Sequence, residues 1–349
     1  MPTTAGRGRP KRGPSIADVA RLAGVSTQTV SRVSTGADPV REDTRDRVLE
    51  AMHQLGYSPN RAARALRNGR FGTIGLLAHR FERTGEALTT EAVVQAAAEE
   101  DLTVTLLNVH TPDADRWEHA AHRLSQQSID GLVIIRAEQA TPDSLALPAN
   151  LAVAVSDSRL VGHYPSVVAD QMQGTELAVG HLLELGHRTV HHIAGPADSE
   201  PALVRATMWQ RLLQRAGIRP PELLRGDWGA ESGYLAGQRL ARDESVTAVY
   251  CANDEMAFGL IRALHEHDRR VPQDVSVVGF DDIVLSGFSS PPLTTVRQDF
   301  HRIGRELVRL VLAQLRAEEL PRSGPVLIPT ELIVRGTTAP PAETALPIR

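Results

Sequence analysis

Polar side chains stand directly behind apolar, strand-like runs at several widely separated places in this sequence. Asp157 follows LAVAVS, Asn253 and Asp254 follow AVYCA, Asp281 and Asp282 follow VSVVGF, Gln298 follows TTVR, and Arg205 opens a helical stretch after IAGP. Taken one at a time, such residues are turn formers and helix caps. Together they offer carboxylates, amides and a guanidinium, the groups that exchange hydrogen bonds with a ligand rich in hydroxyls. Trp228, in GDWGAESGY, adds a flat apolar face of the kind that stacks on the C–H side of a sugar, with core packing as its competing role. A second set lies near the start of the chain. In STQTVSRV, Gln28 suits a bidentate pair with adenine, Arg32 one with guanine, and the methyl of Thr27 a thymine methyl, with Ser31 beside them.

The elements that must present these groups can be read from periodicity. Ile16, Val19, Ala20 and Ala23 fall on one face of a short helix; Gly24 supplies the positive φ that ends it, and Ser26 caps a second helix. That second helix turns Val25, Val30 and Val33 inward and leaves Thr27, Gln28, Ser31 and Arg32 outside, the pattern of a helix-turn-helix. A third helix over residues 42 to 55 is predicted to present Val48, Leu49, Met52 and Leu55 to the same core. GYSPNRAARALRNGR then predicts a two-turn helix, too short to hold without a partner. From Phe71 onward strand-like runs (TIGLLA, LTVTLLNV, GLVII, LAVAV, TVHHIAG, TAVYCAND, VSVVGFDD) alternate with helical stretches near residues 86–100, 115–127, 172–185, 203–216 and 231–242. Such alternation gives an α/β fold of parallel sheets covered on both faces, with enough strands for two doubly wound sheets. In that architecture ligands sit outside the carboxyl ends of the strands, where the polar residues above are found.

Composition narrows the function classes. Hydrophobic residues make up 42% and charged residues 23% of 349, ordinary for a globular chain. Residues 1 to 70 carry 13 Lys and Arg against 6 Asp and Glu, whereas the remainder carries 25 against 36. A basic head on an acidic body fits a head that meets a polyanion. Within GRGRPKRG the arm has two readings, a disordered basic tail or an AT-hook that enters a narrow minor groove. One cysteine, Cys251, no secretory signal and no long apolar run lead us to expect an intracellular protein without a membrane span. No phosphate-binding G-x-x-x-x-G-K-[ST] loop, no G-x-G-x-x-G after a strand and no G-x-S-x-G elbow is present, so we expect no enzyme and no cofactor. The histidine pairs His119/His122, His191/His192 and His265/His267 lack a completing carboxylate or cysteine pattern, and we read them as strand and surface-helix residues rather than metal ligands.

DVARLAGVSTQTVSRV and GYSPNRAARAL resemble the head and hinge of the lactose/galactose repressor (LacI/GalR) family, and GHLLELGHRTVHHIAGP, CANDEMAFGLIRAL, VPQDVSVVGFDD and PPLTTVRQDF resemble its core. The resemblance spans about residues 15 to 338. It implies a basic arm (1–14), a helix-turn-helix domain (15–59), a hinge helix and linker (60–70), a two-lobed core like periplasmic sugar-binding proteins (71–338) and a disordered tail (339–349). By position, Thr27, Gln28, Ser31 and Arg32 would contact operator DNA with Asn60 and Ala63 of the hinge, and Leu66 would wedge into a minor-groove base step. Arg205, Asn253 and Asp281 would bond the effector, joined by His79, Asp157, Trp228 and Gln298; the set Asp157, Trp228 and Gln298 favours a galactoside. Departures are Arg41 where a capping Ser is usual, Met208 where a Gly is usual, and AHRFERTGEAL in place of the first effector loop. The implied protein is a cytoplasmic, nucleoid-associated homodimeric repressor that binds a pseudo-palindromic duplex and a sugar. No tetramerising leucine heptad closes the chain, and Ala-rich residues 91–100 are the expected dimer face. Alternatives are a co-repressor or phosphorylated effector in the same family, and a solute-binding protein.

Overall fold

The structure, a computed structural model, describes residues 13–35, 40–58, 70–78, 81, 83–109, 119–120, 122–123, 126–136, 141, 145, 147–320 and 324–342. The chain divides into two compact units, Met1–Phe71 and Gly72–Arg349. Asn60, Ala63 and Leu66 of the expected hinge, most of the basic arm and His79 lie outside the described residues.

The first unit is a three-helix cluster: α1 (Ile16–Ala23), α2 (Thr27–Thr35) and α3 (Glu42–Leu55). Ser15 and Asp18 form a reciprocal capping box at the start of α1, and Gly24 ends the helix at φ 67° and ψ 37°, the left-handed conformation read from the sequence. Ser26 Oγ then accepts from Thr29 N at 3.1 Å, which caps α2. Val19, Ala20, Ala23, Val30, Val48, Ala51 and Met52 make the core, with Val25, Val33 and Leu55 packed on it. Leu49, expected inside, is exposed, and Ala51 takes that place. The inward face of α3 is the i, i+3, i+4, i+7 set Val48, Ala51, Met52 and Leu55, and Leu49 falls one step off it. Arg41 stands at the start of α3 and makes no side-chain cap.

In the second unit, β1 (Thr73–Ala78), β2 (Thr103–Asn108), β3 (Gly131–Ile135) and β4 (Ala152–Ser156) form a parallel sheet of order β2-β1-β3-β4. A parallel pair, β5 (Val167–Ala169) with β11 (Val326–Ile328), continues this row through a bridge from Val155 to Ser166. The helices α4 (Thr84–Glu99) and α9 (Phe300–Leu315) cover one face, where Val93, Ala96 and Ala97 meet Ile303, Leu307 and Val311 over Ile74 and Val133. The second sheet has the order β12-β10-β9-β8-β6-β7, from β6 (His191–Ala194), β7 (Leu224–Arg225), β8 (Ala248–Cys251), β9 (Ser276–Asp281), β10 (Thr294–Arg297) and β12 (Glu331–Ile333). Only its pairing of β10 with β12 is antiparallel. α5 (Gln171–Glu184) and α6 (Glu200–Arg215) pack on one face, α7 (Ala230–Ala241) and α8 (Asp254–Glu266) on the other. The chain passes between lobes from β5 to α5, from β10 to α9 and from β11 to β12. Two doubly wound lobes, as expected from the alternation, are therefore present.

α8, α9 and the strands shorter than four residues were not legible as separate elements; a two- or three-residue strand has too few positions to show a period. His192 lies in β6, buried, with its ring stacked on Tyr250 at 4.6 Å and Nδ1 2.8 Å from the Tyr250 carbonyl oxygen. Burial pushes its pKa down to about 3, so it serves the sheet as a neutral donor. Among the described residues no helix is long and apolar enough to cross a membrane.

Candidate effector cleft and DNA-reading helix

The strand ends of the two lobes bring together most of the core residues singled out by sequence. Arg205, one turn into α6, is fully buried. Its Nε donates to Gln171 Oε1 at 2.7 Å, its Nη1 donates to the Ala252 carbonyl, and its Nη2 lies 3.8 Å from Asp281 Oδ1. The guanidinium sits 3.6 Å above the Phe280 ring. Asp281, at the end of β9, accepts from Gln298 Nε2 at 2.5 Å, and Gln298 Oε1 in turn accepts from Gln171 Nε2 at 3.3 Å. The result is a closed polar cluster, Arg205–Gln171–Gln298–Asp281, assembled from α6, α5, β9 and the residue after β10.

Burial acts against charge here. It pushes the Asp281 carboxyl up to about 7, against the pull of Arg205, and lowers the affinity of Arg205 for its proton. Asp254, buried at the first position of α8, is pushed up to about 8 although Thr295, Ser286 and the Ile283 N–H all donate to it. The Asp281 carboxyl accepts when ionised and can also donate when protonated, whereas the guanidinium only donates, a combination suited to an uncharged ligand with many O–H groups.

Trp228 lies beside this cluster, and Arg205 and Arg136 each place a guanidinium over its ring, at 5.6 and 5.7 Å from the centroid. A Cβ at position 195 would stand 2.5 Å from the indole, so only glycine there lets the ring lie against the backbone. Trp228 is part of the second-lobe core, as its competing role required, yet its indole Nε1 has no hydrogen-bond partner, and neither has Arg205 Nη2. Two buried donors left without acceptors cost free energy in a cleft, unless a ligand supplies the acceptors. Asp157, behind β4, is held above its ordinary pKa by burial and lies 4.0 Å from Arg136 Nε.

Asn253, the N-cap of α8, has its amide engaged within the protein. Its Oδ1 caps α8 by accepting from Met256 N at 3.1 Å, and its Nδ2 donates to the Trp228 carbonyl at 2.9 Å and to Glu255 Oε2 at 2.7 Å. It fixes Trp228 and Glu255, and Glu255 accepts from Thr84 Oγ1 across the lobes. Sequence reading passed over Arg136, Gln171 and Glu255. Arg136 stands directly behind GLVII, so the same rule that found Asp157 would have found it. Gln171 follows a strand of three residues, too short to announce itself. Four residues of the cluster, Arg136, Asp157, Trp228 and Asp281, have positive φ, at 51°, 46°, 78° and 115°, as do Asp101, Asp268 and Ala317 elsewhere in the chain.

In the first unit, Thr27, Gln28 and Arg32 are exposed on α2 and Ser31 is half-buried, one face of a nine-residue helix opposite Val30.

Residues 15–60 match the family described as bacterial regulatory proteins, lacI family, and residues 179–338 match the periplasmic binding protein-like domain. The chain is 35% identical over 341 residues to the lactose operon repressor of Escherichia coli (strain K12), covering 95% of this chain and 93% of that one. It is 33% identical over 329 residues to the HTH-type transcriptional repressor PurR of Haemophilus influenzae (strain PittEE), covering 92% and 97%. Among solved structures, the lac repressor dimer bound to operator and the anti-inducer ONPF superposes with a TM-score of 0.83 at 33% identity, covering 94% of this chain and all of that one. The cellobiose complex of the transcriptional regulator CelR gives 0.69 at 30%, covering 93% and 99%. With such matches running through head and core alike, this chain belongs to the lacI family of bacterial transcriptional regulators.

Proposed function

We propose that this DNA-binding transcriptional repressor takes a sugar as its effector, a galactoside first among them, and leaves its operator when the sugar binds. The observation that carries the reading is the buried cluster of Arg205, Gln171, Gln298 and Asp281 beside Trp228, with the indole N–H without a hydrogen bond and Arg205 Nη2 held only by the longer ion pair to Asp281. Donors, acceptors and a flat ring at one spot are the requirements of a hydroxylated ring. Thr27, Gln28, Ser31 and Arg32 are the base-reading set, because α2 turns them outward while Val30 anchors the helix.

The repressor acts as a homodimer, since a two-fold protein on a palindromic site engages two half-sites at once. Apolar side chains at the surface support a face for the second copy: Val284 and Phe288 are 83% and 82% exposed beside Leu285, and Val94 on α4 is exposed with Leu106 on the edge strand β2. Effector and operator are coupled by linkage. The sugar must prefer the DNA-incompetent arrangement by the free energy it removes from operator binding, about 1 to 3 kcal/mol.

The test is anisotropy of labelled DNA from upstream of the protein's own gene, titrated with galactose, lactose and a purine base. Release by a galactoside is the expected result. Tightening by the purine would replace the sugar-induced repressor with a co-repressed one.

A further inference from the structure

Three consecutive side chains at the start of α8 reach three different parts of the core, because neighbouring positions of a helix point about 100° apart. Asn253 donates to the Trp228 carbonyl at 2.9 Å and so holds the loop that borders the polar cluster. Asp254 accepts from Ile283 N at 2.9 Å and from Ser286 Oγ at 2.7 Å, and so fixes the short turn Val284–Gly287. A Cβ at position 279 would collide with its carboxyl, so glycine there makes room for it. Glu255 reaches the other lobe: Oε2 accepts from Asn253 Nδ2 at 2.7 Å, and Oε1 accepts from the hydroxyl of Thr84, the first residue of α4. α4 begins at Arg83 with no side-chain cap of its own, and a carboxylate suits a helix N-terminus. The charge of Arg83 acts across the same gap on Asp227, the neighbour of Trp228. A cavity of about 680 Å³ adjoins the contact, with Thr84 and Leu88 of α4 and residues 281–285 of the second lobe among its walls, so α4 has room to shift against that lobe.

We propose that Glu255 is a positioning residue whose bond to Thr84 holds the lobes in the ligand-free, operator-binding arrangement, and that the effector releases it by way of Trp228 and Asn253. The inference rests on the reading above, in which the effector lies against Trp228 and frees the operator. A ligand that displaces the Trp228 loop displaces Asn253, whose amide is shared between that loop and Glu255, and Glu255 passes the displacement to the first turn of α4. A contact made in one arrangement only biases the equilibrium by its own free energy. Removing it leaves the groups proposed to touch the sugar in place, weakens operator binding in the absence of effector and strengthens effector binding. Loss of a binding group, or a general loss of stability, would lower both affinities.

The experiment compares the full chain with Thr84→Val, Glu255→Ala and the double variant, by anisotropy of labelled DNA from upstream of the gene and by calorimetric titration with galactose and lactose. Each single variant is expected to lower operator affinity and raise sugar affinity by at least about threefold. The double variant should match Glu255→Ala, because both changes break one contact, and Thr84→Ser, which keeps the hydroxyl, should behave as the unaltered chain. Thermal unfolding checks the fold, and Thr84→Val, which exchanges one hydroxyl for a methyl, keeps the test sound if Glu255→Ala is not tolerated. Sugar affinity unchanged or lowered in the folded variants would overturn the proposal and leave the sugar reading standing. Hydrogen exchange without ligand gives a second readout: Thr84→Val, on the first lobe, should speed exchange at residues 226–230 of the second. If neither sugar binds, the sugar reading fails, and exchange at 226–230 that Thr84→Val leaves unchanged would overturn the link between the lobes as well.

Discussion

The proposed DNA-reading helix and the proposed effector cleft put their candidate side chains in opposite environments. In the head, Thr27, Gln28 and Arg32 lie on the outside of one nine-residue helix, and the core behind them is made by other residues of the same short segment. In the cleft, Arg205, Asp281, Gln298 and Gln171 are buried, drawn from segments as much as 127 residues apart, and each is held by the others. On the proposed assignment, recognition in the head should be alterable with little effect on stability, whereas in the cleft the proposed recognition groups are also structural groups.

The largest test of that difference is Arg205→Ala. Removing the guanidinium strands Asp281 and Gln171 without their partner, and breaking a buried pair costs about 3 to 5 kcal/mol. We expect a marked fall in denaturation midpoint, loss of effector response, and operator binding that persists wherever the chain stays folded. A variant of normal stability would show that the cleft tolerates substitution as the head does, and the contrast would fail.

Titration separates the regions next. Asp281 and Asp254 are held above 3.8, at about 7 and about 8, chiefly by burial. The folded protein thus holds these protons more tightly than the unfolded chain does. Their contribution to stability is complete below the ordinary carboxylate pKa and is lost as pH rises through 7 to 8, by at most about 1.4 kcal/mol per pH unit for each group. Urea unfolding between pH 5 and 8 should show this decline, and Asp281→Asn, which keeps the Gln298 hydrogen bond, should flatten it in part. A slope unchanged by the substitution would assign the effect elsewhere.

Arg32→Ala reverses the pattern seen for Arg205. Stability should change by less than about 0.5 kcal/mol because the side chain is exposed, while operator affinity falls by about 1 to 3 kcal/mol and discrimination at one base pair relaxes. Competition between operator variants in an anisotropy assay measures it. A uniform loss across all sequences would make Arg32 a phosphate contact and Gln28 the principal reader.

The same contrast explains what was legible in the sequence. The head could be read almost residue by residue, since Gly24, Ser26 and the valines of α2 act on neighbours a few positions away. Leu49 went astray there because its neighbour Val48 alone fits the α3 face. In the cleft, the rule that ligands meet the carboxyl ends of strands picked out Asp157, Arg205, Asp281 and Gln298, which the fold gathers around one place. It could not tell that Asn253 spends its amide on Trp228 and Glu255, because that depends on a contact across 25 residues. Gln171 was hidden for a related reason: it matters only through Arg205 and Gln298, and nothing in its local sequence carries that information.

The smallest effect lies inside the head, where the comparison can be sharpened between two helices. α1 has eight residues and begins with a complete capping box: Asp18 Oδ2 accepts from Ser15 N at 2.9 Å and from its hydroxyl at 2.6 Å. α3 has fourteen and begins at Arg41 with no side-chain cap. A helix as short as α1 draws proportionally more from its ends, so Ser15→Ala should cost about 1 kcal/mol, and Arg41→Ser should return a similar amount by capping α3. Hydrogen exchange across residues 16–55 should register both, with the double variant close to the unaltered head, because the two caps are separate and their effects add. Operator discrimination should stay the same throughout, since the readers sit on α2. If the caps changed base preference instead, stability and recognition would be as entangled in the head as they are in the cleft.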